Sequence, residues 1–409
     1  MNQASQSKSI LTYFISIFSL FVVGITTISV IFPALIISNF GIHSSDLEIF
    51  EIGNNASMIF LCNIILIGFG IAYYKNKLPS KIQSLLFTLL HKQISKKTTI
   101  IVLLVILLPY VILSTPELFL DEASQAPDYE IFLAAKEIFP FGKTTFTEAT
   151  EQNDRYVRMI LLIASLEIFQ NIKIIPFFGS IALLLTTFFF TKEITKNRLA
   201  GIISVLVLIQ SYTFLKFDTF AMYENFWVLF YVFSLYLIFK KFPFSSMSYA
   251  LSILTKAFTA IFLPLSIVFV FYSNLKSKTK LLILVTYGVM FGIIVTIWTL
   301  DASVYDNILR FDLSQLLVAL TKTSYQIRFD LLFLISILPL TLGLIIKARN
   351  NSHIASSVLF LITGSIFAGA IVEMLSYHFV ILPYRFVPTI VFFAVGVGIL
   401  FNHNKEENQ

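Results

Sequence analysis

The chain has little charge. Asp, Glu, Lys and Arg together make up 13% of its 409 residues, where a soluble globular chain carries roughly a quarter. That excludes a soluble domain of ordinary composition. There is one cysteine, Cys62, inside an apolar run. An intrachain disulfide, a CxxC motif and a cysteine metal site are therefore excluded. The five histidines are scattered, and none forms an HxxxH or HExxH pair. Arg-rich blocks and basic patches interleaved with aromatics are missing, so the net charge of +6 does not indicate nucleic acid. Apolar runs are continuous rather than alternating, which excludes a β-barrel. No soluble domain, low-complexity linker or internal repeat is visible.

What fills the chain is hydrocarbon. Hydrophobic residues occupy 57% of positions, and they fall in runs of about 16–28, the length that spans a bilayer. Spans are expected over 10–37, 56–74, 98–114, 174–191, 199–214, 226–239, 247–272 (as one helix or two), 281–300, 331–346, 354–374 and 387–401. The fold expected is an all-α polytopic membrane protein with about 11–12 transmembrane helices and juxtamembrane helices on the extracytoplasmic side. The first run is too long for a signal-peptide core and no small-residue cleavage site follows it, so it reads as a retained anchor.

Orientation follows from charge. With the N-terminus inside, 156–169 a surface helix and 247–272 two short helices, most of the 29 basic residues lie inside. All the 23 acidic residues except Glu193, Glu406 and Glu407 then lie outside. Letting 156–169 span instead moves Lys192, Lys196, Arg198, Lys240 and Lys241 out, a poorer fit to the positive-inside rule. Half-spans in 247–272 require burial in protein. Both termini are then cytoplasmic, in a multi-pass protein of the cell membrane.

Two outer segments and one inner segment have helical amphipathic patterns. On the inside, 80–93 sets Ile82, Leu85, Leu86, Leu89 and Leu90 against Lys81, Gln83, Ser84, Thr88 and Lys92, the pattern of an interfacial helix. Residues 1–93 thus form a transmembrane hairpin plus a cytoplasmic amphipathic helix, and 94–409 the core. On the outside, Ile131, Phe132, Ala135, Ile138 and Phe139 make an apolar stripe behind Pro127. Asp128 and Glu130 stand in its first turn, where carboxylates suit the helix dipole. A second outer helix, 156–169, follows Arg155 and carries Arg158.

Acidic groups collect on this outer face. Asp121, Glu122 and Asp128 come from the first large loop, Asp218 and Glu224 from the next turn, and Asp301, Asp306 and Asp312 from a later one. Arg155, Arg158, Lys256, Arg310, Arg328, His378 and Arg385 share that face, with Tyr384 beside Arg385. Carboxylates act as general bases or hold a divalent cation, and cations at a membrane face suit phosphate. Most loop acids in a membrane protein are merely solvated. Lys256 is the exception, because an ionisable group within the apolar stretch 249–271 is costly.

The order of these features resembles a GT-C glycosyltransferase, close to the protein-mannosyltransferase and aminoarabinose-transferase types. Asp128, Phe132, Ala135, Ile138 and Gly142 are similar to that superfamily's acidic-loop helix, with Phe132 in place of its Tyr. Asp121-Glu122 fits part of the same pattern. Arg155–Arg158 with the run to Phe169 resembles its second surface helix, 218–224 its second outer acidic turn, and 251–256, Leu-Ser-Ile-Leu-Thr-Lys, its Leu-Thr-Lys segment. His378 through Tyr384, Arg385 and Pro388 resembles its late outer element. The likeness covers roughly residues 98–400; the large extracytoplasmic domain of many members is missing.

The resemblance implies an inverting transfer of a sugar from a polyprenyl-phosphate-linked donor to a lipid, glycan or protein acceptor on the outer side. Asp128, Asp121 or Glu122 would be the catalytic base. Asp218, Glu224, Arg155, Arg158, Lys256, His378, Tyr384 and Arg385 would bind substrates. A magnesium or manganese ion is the cofactor such carboxylates invite, though no residue pattern demands one. Membrane lipid is a partner and nucleic acid is not. The competing class is a transporter or lipid flippase using Lys256 and Glu373. Transporters usually show repeated halves, which this sequence lacks. A non-catalytic scaffold would have no use for clustered outer acids.

Overall fold

The computed structural model describes residues 3–33, 52–126, 128–138, 156–300, 313, 316–350, 352–375 and 382–401. Among these there is no β-strand. In chain order the helices are α1 (Gln3–Ile31), α2 (Ala56–Tyr74), α3 (Ser80–His91), α4 (Lys96–Ser114), α5 (Glu122–Gln125), α6 (Asp128–Ile138), α7 (Tyr156–Phe169), α8 (Ile174–Thr195) and α9 (Arg198–Ile209). They continue as α10 (Tyr212–Phe217), α11 (Phe226–Lys240), α12 (Pro243–Thr255), α13 (Leu263–Tyr272), α14 (Ser277–Leu300), α15 (Leu316–Tyr325), α16 (Leu331–Arg349), α17 (His353–Leu375) and α18 (Val387–Leu400). Eight described helical stretches are long and apolar enough to cross a membrane, and three shorter apolar ones accompany them, Arg198–Ile209, Phe226–Lys240 and Ala257–Tyr272. The chain is an all-α polytopic membrane protein.

Two expected spans, 10–37 and 199–214, come out differently, and 247–272 takes the two-helix form of its two expected ones. The first helix ends at Ile31, and the expected end of the span, residue 37, lies outside the described residues. Pro33 is the local cause, because a proline pushes the residue before it out of the α region. The expected span 199–214 is two helices, α9 and α10, broken at Gln210 and Ser211. The stretch 247–272 is broken at Lys256, whose extended backbone (φ −155°, ψ 113°) ends α12 before a 3-10 segment, Ala257–Phe262, leads into α13.

The chain folds as two units. The first comprises Met1–Ser95, Ile194–Thr213 and Arg310–Gln409. Here α1 packs on α15, α16 and α17, α2 on α16, and α9 on α18. Helices this apolar have no hydrophobic drive to associate in lipid, so small residues and hydroxyls do the joining. Ser19 meets Thr363 at 3.1 Å, Thr26 meets Ser324 at 3.1 Å, and Ser365 meets Thr389 at 2.7 Å. A Cβ on Gly396 of α18 would stand 3.2 Å from Ile362 and 3.3 Å from Leu344, so this helix is pressed against its neighbours. Asp330 caps α16 through the Phe333 amide and also accepts from Ser211 and the Thr213 amide.

The second unit comprises Lys96–Glu193 and Phe214–Leu309. Its interior is aromatic. Tyr249 stacks on Tyr287 with ring centres 5.1 Å apart, and Tyr231 lies against Phe262 at 5.1 Å. The phenols do not go unserved: Tyr287 exchanges a 2.7 Å bond with Ser245, and Tyr249 donates to the Thr259 carbonyl at 3.1 Å. α12 packs on α11, α14 and α7. That last contact seats the short helix α7 on the transmembrane bundle.

Candidate functional site

Within the second unit, the first-loop helices and the turn 218–225 share one apolar core. Phe132 and Ala135 of α6, Met159 and Leu162 of α7, and Ala221 and Met222 of the turn are among its buried members. The inward stripe of α6 is the reason: Phe132 and Ala135, three residues apart, fall on one helical face. Exposed Ile131 and Leu133 lie on the others.

Charged side chains cross this core. Glu122 is buried, and its Oε1 accepts from the amides of Ala221 (3.1 Å) and Met222 (2.9 Å). Its Oε2 faces Lys173 Nζ at 3.4 Å. Lys173 is 1% exposed. Its ammonium donates to Gln125 Oε1 (2.6 Å) and to the Glu117 carbonyl (3.2 Å). Arg158, from α7, donates through Nη2 to the Met222 carbonyl at 2.8 Å and places Nε 3.1 Å from Glu224 Oε2. One ion pair and three backbone bonds thus tie the loop before α8 to the turn before α11, and a second ion pair, Lys173 with Glu122, braces that loop from within. Isolated charges could not be buried this deeply, and each is matched here.

A second group lies behind the clamp. Asp218 is buried and accepts from Ser114 Oγ at 3.1 Å. The buried hydroxyl of Tyr110 stands beside it. Thr219 donates to Glu117 Oε2 at 2.9 Å. Burial, helped by the neighbouring Glu117 charge, pushes the Asp218 carboxyl up to about 7, against the partial relief given by Tyr110, Ser114 and the Thr219 amide.

The raised value has a consequence for stability. The folded protein favours protonated Asp218, so the stabilisation is complete below the ordinary value of 3.8 and is lost as pH rises through about 7. Asp218→Asn removes the titration. The variant should therefore gain on wild type by on the order of a few kcal/mol between those pH values and gain nothing more above them. Melting of both proteins across that range measures it. A constant difference would show that Asp218 does not titrate there.

Other sequence candidates fall as follows. Asp121 is exposed and caps α5, accepting from the Ala123 amide at 3.2 Å. Asp128 opens α6, is half-buried, and is bound by no described residue. Lys256 is half-buried, with its ammonium 5.6 Å from the ring centre of Trp227 in the first turn of α11. It therefore stands at the same end of α11 as Glu224 and the acidic turn. Tyr384 and Arg385 belong to the first unit, where Arg385 Nε donates to the Tyr384 hydroxyl at 3.2 Å. Glu373, also there, accepts from Thr323 at 3.1 Å. Arg155 and His378 lie outside the described residues, as do Pro127, Phe139, Gly142, Asp301, Asp306, Arg310 and Asp312.

Sequence reasoning missed Lys173, Glu117 and Tyr110. Lys173 offered a signal: a lone cation flush against the apolar run of α8, where an ionisable group is costly. No protein-family model, curated protein or solved structure matches this chain.

Proposed function

We propose that the chain is a membrane glycosyltransferase that moves a sugar from a polyprenyl-phosphate carrier to an acceptor on the extracytoplasmic side. One observation carries the reading. A carboxylate bound by no described residue, Asp128, opens a helix that shares a core with the Asp218 turn, and Lys256 stands at that turn's end of α11. A general base and a phosphate-binding cation on one end of one unit are what such a transfer needs.

In the reaction, Asp128 takes the proton from the acceptor hydroxyl or amine. The freed electron pair attacks the anomeric carbon, and the bond from that carbon to the phosphate oxygen breaks. The phosphate leaves with the bonding pair, facing Lys256. Glu122 and Arg158 touch neither substrate in this scheme; they hold the base and the turn in register. Tyr384 and Arg385 enter as donor-binding residues on the resemblance alone. No group of three or more His, Cys, Asp or Glu side chains converges among the described residues, and Glu122 and Glu224 already face cations.

The test is transfer by the purified chain in liposomes supplied with a radiolabelled polyprenyl-phosphate sugar and a membrane extract as acceptor source. Label is expected to move to an acceptor. Lys256→Met should raise the donor concentration required by ten- to a hundredfold, the worth of one charge-assisted contact at roughly 1.5–3 kcal/mol. Label that crosses the bilayer still on its carrier, with none transferred, would replace this reading with a lipid flippase.

A further inference from the structure

The helix α3 and its flanks belong to the first unit and take no part in the proposed transfer. Residues 75–95 carry Lys75, Lys77, Lys81 and Lys92 and contain no Asp or Glu. All four lysines are exposed. The apolar side of α3 is also uncovered: Ile82 is 42% exposed and Leu85 59%. An unburied apolar stripe beside an unopposed run of cations needs a partner that is greasy and negative at once.

The backbone fixes where this partner must be. α2 ends at Tyr74, and Asn76 takes the left-handed conformation that closes a helix (φ 53°). Its neighbour amide, Lys77, bonds back to the Ala72 carbonyl at 2.8 Å. Gln83, in the first turn of α3, donates to the Asn76 side chain at 2.7 Å. So α3 leaves the membrane-length helix α2 at a set angle. At the far end, Arg198 at the start of the apolar helix α9 donates to the Ile94 carbonyl at 3.0 Å. Both ends of α3 are therefore tied to ends of apolar helices, and the helix cannot swing away from the surface where they emerge. A 12-residue helix covers about 18 Å, which lays its stripe along that surface.

We propose that α3 is a docking surface for anionic phospholipid: its Ile82–Leu85–Leu86 side enters the acyl boundary, and Lys75, Lys77, Lys81 and Lys92 hold lipid headgroup phosphates. The lysine stems bridge the two depths, apolar below and charged above. Attraction of each lysine to an anionic leaflet is large enough that four of them make binding depend on lipid charge and on salt. The inference is independent of the transferase reading. On the orientation counted from charge, the leaflet is the inner one.

The experiment uses the full chain in lipid nanodiscs, in a Cys62→Ala background, with an environment-sensitive fluorophore on Leu85→Cys. A second probe on Ser84→Cys, an exposed residue on the polar side, shows that labelling does not disturb the helix. In phosphatidylcholine discs containing phosphatidylglycerol, the Leu85→Cys probe should shift to the blue and lose about tenfold of its quenching by acrylamide, relative to phosphatidylcholine alone. High salt should reverse the change. Neutralising all four lysines to Gln should abolish the lipid dependence, while the Ser84→Cys probe stays quenchable throughout. A Leu85→Cys probe that responds equally in both lipids, or that keeps its phosphatidylglycerol response without the lysines, overturns the proposal. Protection that rises with two copies per disc, regardless of lipid charge, would instead assign the face to a second copy of the chain.

Discussion

Arg158→Met is expected to destabilise the protein by about 3–5 kcal/mol, the cost of leaving one member of a buried ion pair without its counter-charge. Arg158 and Glu224 are both buried, and the pair stands at 3.1 Å. The double variant Arg158→Met with Glu224→Gln should recover most of the loss, because it removes the stranded charge along with the cation. Thermal melts of the wild type, both singles and the double in one detergent give the coupling directly. Should Arg158→Met cost no more than about 1 kcal/mol, the pair is wetter than its burial implies and the clamp is not the joint that it looks to be. Arg158→Lys separates charge from shape. A lysine supplies one point of charge and cannot reach both Glu224 and the Met222 carbonyl with a planar fork, so it should fall between wild type and methionine.

A methionine pair packed in the same space would cost nothing in desolvation and is often as stable as a buried ion pair. What the charges add is direction. Glu122 accepts two consecutive amides, those of Ala221 and Met222, and Arg158 takes the Met222 carbonyl. Together they fix both the donors and the acceptor of one peptide segment, so the turn can sit in one register against α6 and α7. Apolar side chains would bury that turn but would not choose among its rotations. The clamp is thus the physical reason that Asp128 and Asp218, ninety positions apart, belong to one assembly.

Local pattern revealed much of this. The Pro127 punctuation and the apolar stripe mark α6, of which Phe132 and Ala135 face the core while Ile131, expected on the same stripe, is exposed; the apolar run of 156–169 is a helix of 14 residues. The break at Lys256 was foreseen as one of two outcomes, since a lysine in an apolar stretch marks where a helix opens. Hydropathy runs on through Pro33 and does not show the interruption at Phe32 that follows Ile31, where a proline constrains the backbone before it. The partners within the clamp were illegible for a different reason. Glu122 bonds residues 99 and 100 positions away, and Lys173 reaches Gln125 across 48. No helical or strand period connects such positions. Glu122 had been a candidate base; its oxygens face two amides and an ammonium, which makes it a positioning residue in the scheme proposed here. Asp218 stands among the substrate-binding acids through its outer position and the resemblance of 218–224 to an outer acidic turn. Its raised value comes from burial and then from the neighbouring Glu117 charge, in surroundings that only the folded chain assembles.

Asp128→Asn is the substitution with the largest expected effect on activity. The amide keeps the shape of the side chain and its place in the first turn of α6, so folding should be preserved. It cannot take a proton, and general-base catalysis is worth about 10²–10⁴ in rate. Transfer should fall by that factor at saturating donor, with little change in the donor concentration required, since the loss lies in the chemical step. Asp121→Asn is the control that the structure selects. Its carboxylate is exposed and caps α5, and Asn caps a helix about as well. It should leave transfer within about twofold of wild type. The measurement is single-turnover transfer from a labelled polyprenyl-phosphate sugar by the three reconstituted proteins, with circular dichroism melts run alongside. A dead Asp121→Asn beside an active Asp128→Asn would move the base to the loop before α5, where the chain would have to release the cap in order to react. Two active variants would remove the first outer loop from the chemistry, and Asp218, with its acidity already poised near neutral pH, would be the carboxylate to substitute next.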